Sequence, residues 1–210
     1  MKTVTVYTDY KSPYAFVAKD LIYELAEETG ARLDWLPYTL DIPDFMGSAE
    51  VGEDKRIISE QRSAHQWRKV RYVYMDCRRE ANRQGLTLRG PRKIWDSSIA
   101  ATGLLWAKRQ GERVLRGYSD RTFERFWRRE LDIEKPEVIE DVLAEAGADV
   151  AGFAAFLAGP GRAEHDAIRG AAEAAGVFGV PFFIVDGELF WGRENLPLIR
   201  ERLTVETAAI

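Results

Sequence analysis

The chain has 210 residues, 46% of them hydrophobic and 30% charged, which supplies a buried core and excludes a disordered polypeptide. Its 30 Lys and Arg against 34 Asp and Glu leave a net charge of −4, excluding a generally basic nucleic-acid binder though not a local basic face. One cysteine, Cys77, rules out an intramolecular disulfide, and two histidines, His65 and His165, argue against a conventional zinc site.

No apolar stretch of the kind a secretory leader needs follows Lys2, and no run approaches the roughly 20 apolar residues of a membrane span. A cytoplasmic protein with no membrane partner is expected. Residues 3–8 alternate as a strand, with Val4 and Val6 on one face. Ser12 and Pro13 then suit an N-cap and a first helical position, and residues 14–29 supply a helix closed by Gly30. Residues 31–37 read as a second strand, completing a β-α-β unit with a right-handed crossover. From 53 to 84 the pattern predicts one long helix, its stripe formed by Trp67, Val70, Tyr74, Cys77 and Ala81. Further helices are expected over 97–109, 120–129, 136–146, 150–157 and 163–175, separated by glycines. Residues 182–185 form an apolar strand, Asp186-Gly187 a hairpin turn and 189–191 the return strand, before a last helix over 194–203. This order predicts an α/β chain: a thioredoxin-like fold at 1–43 and 162–210, interrupted by a large all-helical insertion at 44–161.

Charge is uneven. Between residues 55 and 93 there are 12 basic and 3 acidic side chains, and between 120 and 149 there are 10 acidic and 5 basic. Solvated helix faces with mutual pairing account for this, or part of the basic side faces an anionic ligand.

In a thioredoxin-like unit the reactive group sits at the start of the first helix, where free N–H groups and the helix dipole favour an anion. Redox members place Cys-x-x-Cys there. This chain has Ser12-Pro13-Tyr14-Ala15, so dithiol–disulfide exchange at that point is chemically excluded. A hydroxyl remains where a negative sulfur would sit, and glutathione is the soluble candidate to bring the sulfur. A free thiol of pKa near 8.5 is only roughly 3% ionised at pH 7, and lowering it by about two units requires about 2.7 kcal/mol. A Ser12 hydrogen bond to an ionised sulfur contributes roughly 1.5–3 kcal/mol, and the helix end about 0.3–1 kcal/mol.

Two further signals accompany Ser12. Val180-Pro181 precedes an interior strand, where a cis proline turn is the common device, and the Val180 N–H and C=O would be open to a peptide-like ligand. Gly192-Arg193-Glu194-Asn195 opens the last helix, where free N–H groups can hold a carboxylate and Glu194 can accept from an amine. Each has an ordinary reading too: a plain cap, a trans loop proline, a capped acidic first turn. Their convergence carries the weight, because the fold brings all three to one edge of the sheet. Elsewhere, Cys77 reads as a packed structural thiol and the two histidines as surface or pairing groups. The aromatic residues read mostly as core, some lining an apolar pocket between insertion and sheet.

The chain resembles the kappa-class glutathione transferases and the 2-hydroxychromene-2-carboxylate isomerases, which share the DsbA-like architecture. The likeness runs through Ser12-Pro13-Tyr14, the Lys69, Tyr72 and Asp76 pattern, Phe126-Trp127 to Pro136, Gly176-Val177-Phe178-Gly179-Val180-Pro181, Asp186-Gly187 and Phe190-Trp191-Gly192-Arg193-Glu194. It departs where family members carry Asn-x-Pro-Pro and this chain reads Leu40-Asp41-Ile42-Pro43, and at Arg193, more often a small polar residue. The resemblance implies that Ser12 activates the glutathione thiol and that the Val180 backbone, before Pro181, pairs with the cysteinyl unit. It implies that Lys69 contacts the tripeptide, that Glu194 lies near its γ-glutamyl end, and that the protein is a homodimer, while the free N–H groups opened at Gly192 and Arg193 are expected to hold the carboxylate of that end. The function expected is a glutathione-dependent isomerase acting on a small hydrophobic, aromatic unsaturated keto acid. The alternatives are a kappa-class transferase or peroxidase that consumes glutathione, and a non-catalytic binding protein.

Overall fold

The sheet grows from β1 (Thr3–Thr8), whose Val4 and Val6 have no solvent exposure. In the computed structural model, which describes residues 1–54 and 56–205, β1 pairs in parallel with β2 (Arg32–Pro37), Val6 opposite Trp35. On its other side β1 runs antiparallel to β5 (Phe182–Val185), Val4 opposite Val185, and β5 pairs with β6 (Glu188–Trp191). The sheet order is β2-β1-β5-β6. Asp186 and Gly187 make the β5–β6 turn with φ of 51° and 81°, the pair of positive values that a tight twisted hairpin requires.

The parallel pair is bridged by α1 (Pro13–Thr29), capped by Ser12 and ended by Gly30 in the left-handed conformation, φ 67°. Its buried Phe16, Val17, Ile22 and Leu25 follow helical spacing. The insertion comprises α2 (Ile42–Met46), β3 (Ser48–Val51), β4 (Ile57–Gln61), α3 (Ala64–Arg83), α4 (Ser98–Lys108), α5 (Glu112–Arg128), α6 (Pro136–Glu145) and α7 (Phe153–Ala158). The chain returns through α8 (Pro160–Ala174), and after β6 a single 3-10 turn, Arg193–Asn195, leads into α9 (Leu196–Thr204). α1 packs against α3 and α9, while α4 and α8 pack against β2.

The insertion departs from the sequence expectation in a hairpin and in the starts of two helices. The insertion is not wholly helical, because β3 and β4 form an antiparallel hairpin, Ser48 opposite Gln61. The helix expected from residue 53 therefore begins at Ala64. Its start is set by a capping box: the Ser63 side chain accepts from the Gln66 N–H, and the Gln66 side chain accepts from the Ser63 N–H at 2.8 Å. The stripe ending in the buried Cys77 and Ala81 lies wholly within α3. α5 starts at Glu112 rather than 120, with Gly111, the glycine that separates it from α4, as its N-cap at φ 102°.

The core is continuous between insertion and sheet. Phe16 of α1 stacks on Phe123 and Trp127 of α5 at 5.8 and 5.9 Å, and Tyr10 meets Phe123 at 4.7 Å. The boundary expected at 43/44 falls inside α2, and that at 161/162 inside the first turn of α8. Among the described residues no helix is long and apolar enough to cross a membrane.

Candidate functional site

The turn between β1 and α1 is fixed by Asp9. One carboxylate oxygen accepts from the Lys11 N–H at 3.1 Å, the other from the Leu40 N–H at 2.8 Å, and the Lys11 ammonium lies 3.6 Å away. Both side chains are buried, and the mutual charge and hydrogen bonds offset their desolvation. The Asp9 carbonyl in turn accepts from the Ser12 N–H at 3.0 Å, so Ser12 is held at the mouth of α1.

Ser12 is 3% exposed. Its Oγ accepts from the Ala15 N–H at 3.2 Å, and its hydroxyl points to the Val180 carbonyl at 3.4 Å. The latter distance is long for an O–H···O bond, which prefers about 2.5–3.0 Å, so the proton is weakly held. The Val180–Pro181 bond is cis. The backbone N–H groups of Val180 and Tyr14 have no partner among the described residues, and both residues line the same cavity as Ser12. One hydroxyl and two free N–H donors are therefore gathered beside one concavity, the equipment for an anionic atom and an extended backbone.

The cavity has a volume of about 1400 Å³, above the roughly 300–1,000 Å³ usual for one small ligand. Its walls come from the α1 entrance, α2, the β3–β4 hairpin, α3, the segment at residues 90–95, and Phe178 to Val180. Tyr14 lines the same cavity, its phenol pushed up to about 12 by burial, then by Cys77, Asp76 and Tyr72, against a smaller opposing effect of Arg193. It stays protonated, hence a hydrogen-bond donor, at neutral pH.

The residues singled out from sequence separate into two groups. Ser12, Lys69 and Val180 line the cavity, Lys69 from an exposed position on α3. Pro181, Gly192, Arg193 and Glu194 do not line it. The Gly192 N–H donates to the Pro181 carbonyl at 3.0 Å, tying the turn after β6 to the proline turn. Glu194 is exposed and folds back over Gly192, where a Cβ would strike its carboxylate. Arg193 points instead to α3, its guanidinium 3.8 Å from Asp76 and 3.7 Å from Glu80. Those residues open a single 3-10 turn, not the last α-helix itself.

Cys77 is fully buried, and burial pushes its thiol up to about 12, so it is neutral and sealed from the cavity. His165 is buried with Nε2 2.8 Å from the Thr39 hydroxyl and Nδ1 3.1 Å from Asp166, whereas His65 lines the cavity on the exposed side. Among the described residues no group of three His, Cys, Asp or Glu side chains is arranged to hold a metal ion. Sequence reasoning did not single out Arg62, Arg78, Arg92 and Arg129, which all line the cavity. The excess of basic residues over 55–93 was the signal for the first three. Arg129 lies in the acidic stretch and gave none.

The sequence profile of the DSBA-like thioredoxin domain matches residues 3–204. A 2-hydroxychromene-2-carboxylate isomerase from Sphingobium xenophagum is 24% identical over 204 residues, spanning 96% of this chain and 98% of that protein. A solved structure of a 2-hydroxychromene-2-carboxylate isomerase superposes with a TM-score of 0.72 at 21% identity, over 96% of this chain and 94% of the other. A probable DsbA oxidoreductase from Streptomyces coelicolor gives 0.75 at 18% identity, over 100% and 94%.

Proposed function

The chain belongs to the DsbA-like thioredoxin family, and on that premise we propose that it is a glutathione-dependent isomerase of the 2-hydroxychromene-2-carboxylate isomerase type. Its substrate is an aromatic unsaturated keto acid or the cyclic hemiketal of one. The observation that carries this reading is Ser12: a buried hydroxyl with a weakly held proton, at a helix mouth where redox relatives carry a cysteine. The chain's one cysteine is buried elsewhere with a raised pKa, so a reactive sulfur has to arrive with a ligand.

The residues present fit glutathione. The free N–H and weakly engaged C=O of Val180 offer both halves of an antiparallel backbone pair. The Ser12 hydroxyl can turn from the Val180 carbonyl to a sulfur, and the free Tyr14 N–H adds the helix-end field. Lys69, on the cavity wall, supplies a cation for a carboxylate of the tripeptide. Gly192 supports the proline turn through Pro181, and Arg193 holds the following turn against α3. Bound there, glutathione would supply a nucleophilic thiolate for reversible addition to a conjugated carbon and would be regenerated, which is the chemistry an isomerisation about the former double bond needs. Ser12 would keep the sulfur ionised and Val180 would fix its direction, with Tyr14 a neutral donor on the same cavity wall. The apolar walls exclude water and orient the substrate ring. A volume of about 1400 Å³ leaves room for both molecules.

The test combines a glutathione titration, read by tryptophan fluorescence and by thiolate ultraviolet absorbance at neutral pH, with turnover of 2-hydroxychromene-2-carboxylate. Wild type is expected to bind glutathione as thiolate and to isomerise the substrate with total glutathione constant. Ser12→Ala is expected to retain the fold and lose about tenfold or more of the thiolate and of kcat/KM. Glutathione consumed in proportion to product would establish a transferase instead, and binding without thiolate formation or turnover a binding protein.

A further inference from the structure

The charged side chains on the largely apolar cavity wall are almost all cations. Nine Lys and Arg side chains line it against one acidic residue, Glu53. Some are neutralised: Lys11 by Asp9, Arg92 by Glu53 and Lys93 by Glu134. Arg62, Arg78 and Arg129 have no carboxylate partner among the described residues, although Arg78 and Arg129 are exposed, whereas Arg116, Arg125 and Arg200 each have one.

These three guanidinium groups are held in place by neutral partners. The Arg62 Nε donates to the carbonyls of Met46 (3.0 Å) and Gly47 (3.3 Å), and its guanidinium carbon lies 5.0 Å from the centre of the Trp67 ring. The Arg129 Nε donates to the Gly90 carbonyl at 2.8 Å, joined by Nη2. Arg78 lies 5.7 Å from the Tyr74 ring centre. Gly90 brings two of them together: a Cβ there would lie 3.4 Å from the Arg78 Nη2 and 3.6 Å from the Tyr74 ring, while its carbonyl holds Arg129. The Tyr74 hydroxyl has no hydrogen-bond partner among the described residues and feels all three charges, although burial dominates and keeps it protonated. Arg129 is held below the usual arginine range by burial and then by Arg92, Arg89 and Arg78. Cations crowded together without counter-charge cost the free protein stability, and an anion placed between them recovers it.

We propose that Arg62, Arg78 and Arg129, grouped around Tyr74, form a carboxylate subsite separate from Ser12 that selects the substrate as an organic acid. This rests on the reading above, in that the cavity takes a hydrophobic acid, but not on any role of glutathione. The guanidinium forks match a carboxylate's geometry, Tyr74 adds a neutral donor, and Trp67 and Trp95 give the apolar wall for the attached ring.

The experiment is isothermal titration of the full chain, without glutathione, with trans-cinnamate and with its uncharged isostere cinnamamide. Cinnamate is expected to bind at least about tenfold more tightly, with a preference that falls as salt is added. Arg78→Gln removes a side chain with no hydrogen bond or ion pair among the described residues, so the fold should persist, and it is expected to lower cinnamate affinity about tenfold while leaving cinnamamide unchanged. Arg129→Lys, which keeps the charge and loses the fork, should weaken cinnamate by less. Cinnamate that binds no better than cinnamamide, or an Arg78→Gln variant with the full preference, overturns the subsite. Failure of glutathione to bind, read in its own titration, would overturn the isomerase reading and leave this subsite standing.

Discussion

Ser12 and Cys77 divide between them what a dithiol relative unites in one residue. Ser12 has the position, at a helix mouth beside Val180, and Cys77 has the sulfur, buried on α3 with a pKa pushed up to about 12. A neutral thiol packed in the core contributes contact area and no nucleophile. Under the proposed function, Cys77→Ala is therefore expected to leave glutathione binding and isomerase turnover unchanged, at a stability cost of roughly 1 kcal/mol from lost packing. Urea unfolding together with the turnover assay checks both halves, and loss of turnover in a folded Cys77→Ala protein would move the reactive sulfur back to the chain. Ser12 was legible in the sequence because capping is local: Ser before Pro needs only its own next three residues. Arg129 was not legible, because its use depends on Gly90, far away along the chain.

At the scale of elements, α3 is the wall on which the site depends. It carries Lys69, Tyr74 and Arg78 on the cavity side, Cys77 on the core side, and Asp76 and Glu80 against Arg193. Its first turn is defined by the reciprocal Ser63–Gln66 cap. Ser63→Ala is expected to lower stability by about 1 kcal/mol, seen as a lower urea midpoint with an unchanged m-value, and Ser63→Asp should restore most of it. An unaffected midpoint would mean that tertiary packing alone sets the helix start. Periodicity located the stripe of α3 correctly but placed its beginning too early. A hydrophobic stripe reports which residues face a core, while the end of a helix is set by which orphan N–H groups find partners. The β3–β4 hairpin was missed for a related reason: β4 is exposed along its whole length, so it lacks the alternation that marks a half-buried strand.

Across the whole molecule the aromatic seam joins insertion to sheet and makes the fold sensitive to alkali. Burial raises the phenols of Tyr10, Tyr14, Tyr23, Tyr74 and Tyr118 and the thiol of Cys77 above their ordinary ranges. Each is neutral when folded at a pH where its unfolded counterpart has released a proton. Stability from these groups is complete below about pH 8.5 and is lost as pH rises, at about 1.4 kcal/mol per pH unit for each group once its unfolded form ionises. The urea midpoint is expected to fall increasingly steeply between about pH 9 and 12, with the absorbance change of the buried tyrosines coinciding with unfolding instead of preceding it. A flat midpoint over that range would mean that these side chains reach solvent in the native state.

From its sequence alone this chain determined features that depend on neighbours a few residues away. These are the Ser12 cap, the Gly30 stop, the tight Asp186-Gly187 turn, the alternation of β1, and the absence of a cysteine at the helix mouth. Strand and helix order, read with the chirality of the crossover, was enough for the thioredoxin-like arrangement. Tertiary structure decided which charges face one another. It turned Arg193 toward Asp76 and Glu80, left Glu194 outside the cavity, and brought Arg129 from the end of α5 to Gly90 beside Arg78. Caps and turns are settled by short-range sterics and hydrogen bonds, whereas the partner of a long charged side chain is chosen only when distant segments pack and exclude water between them.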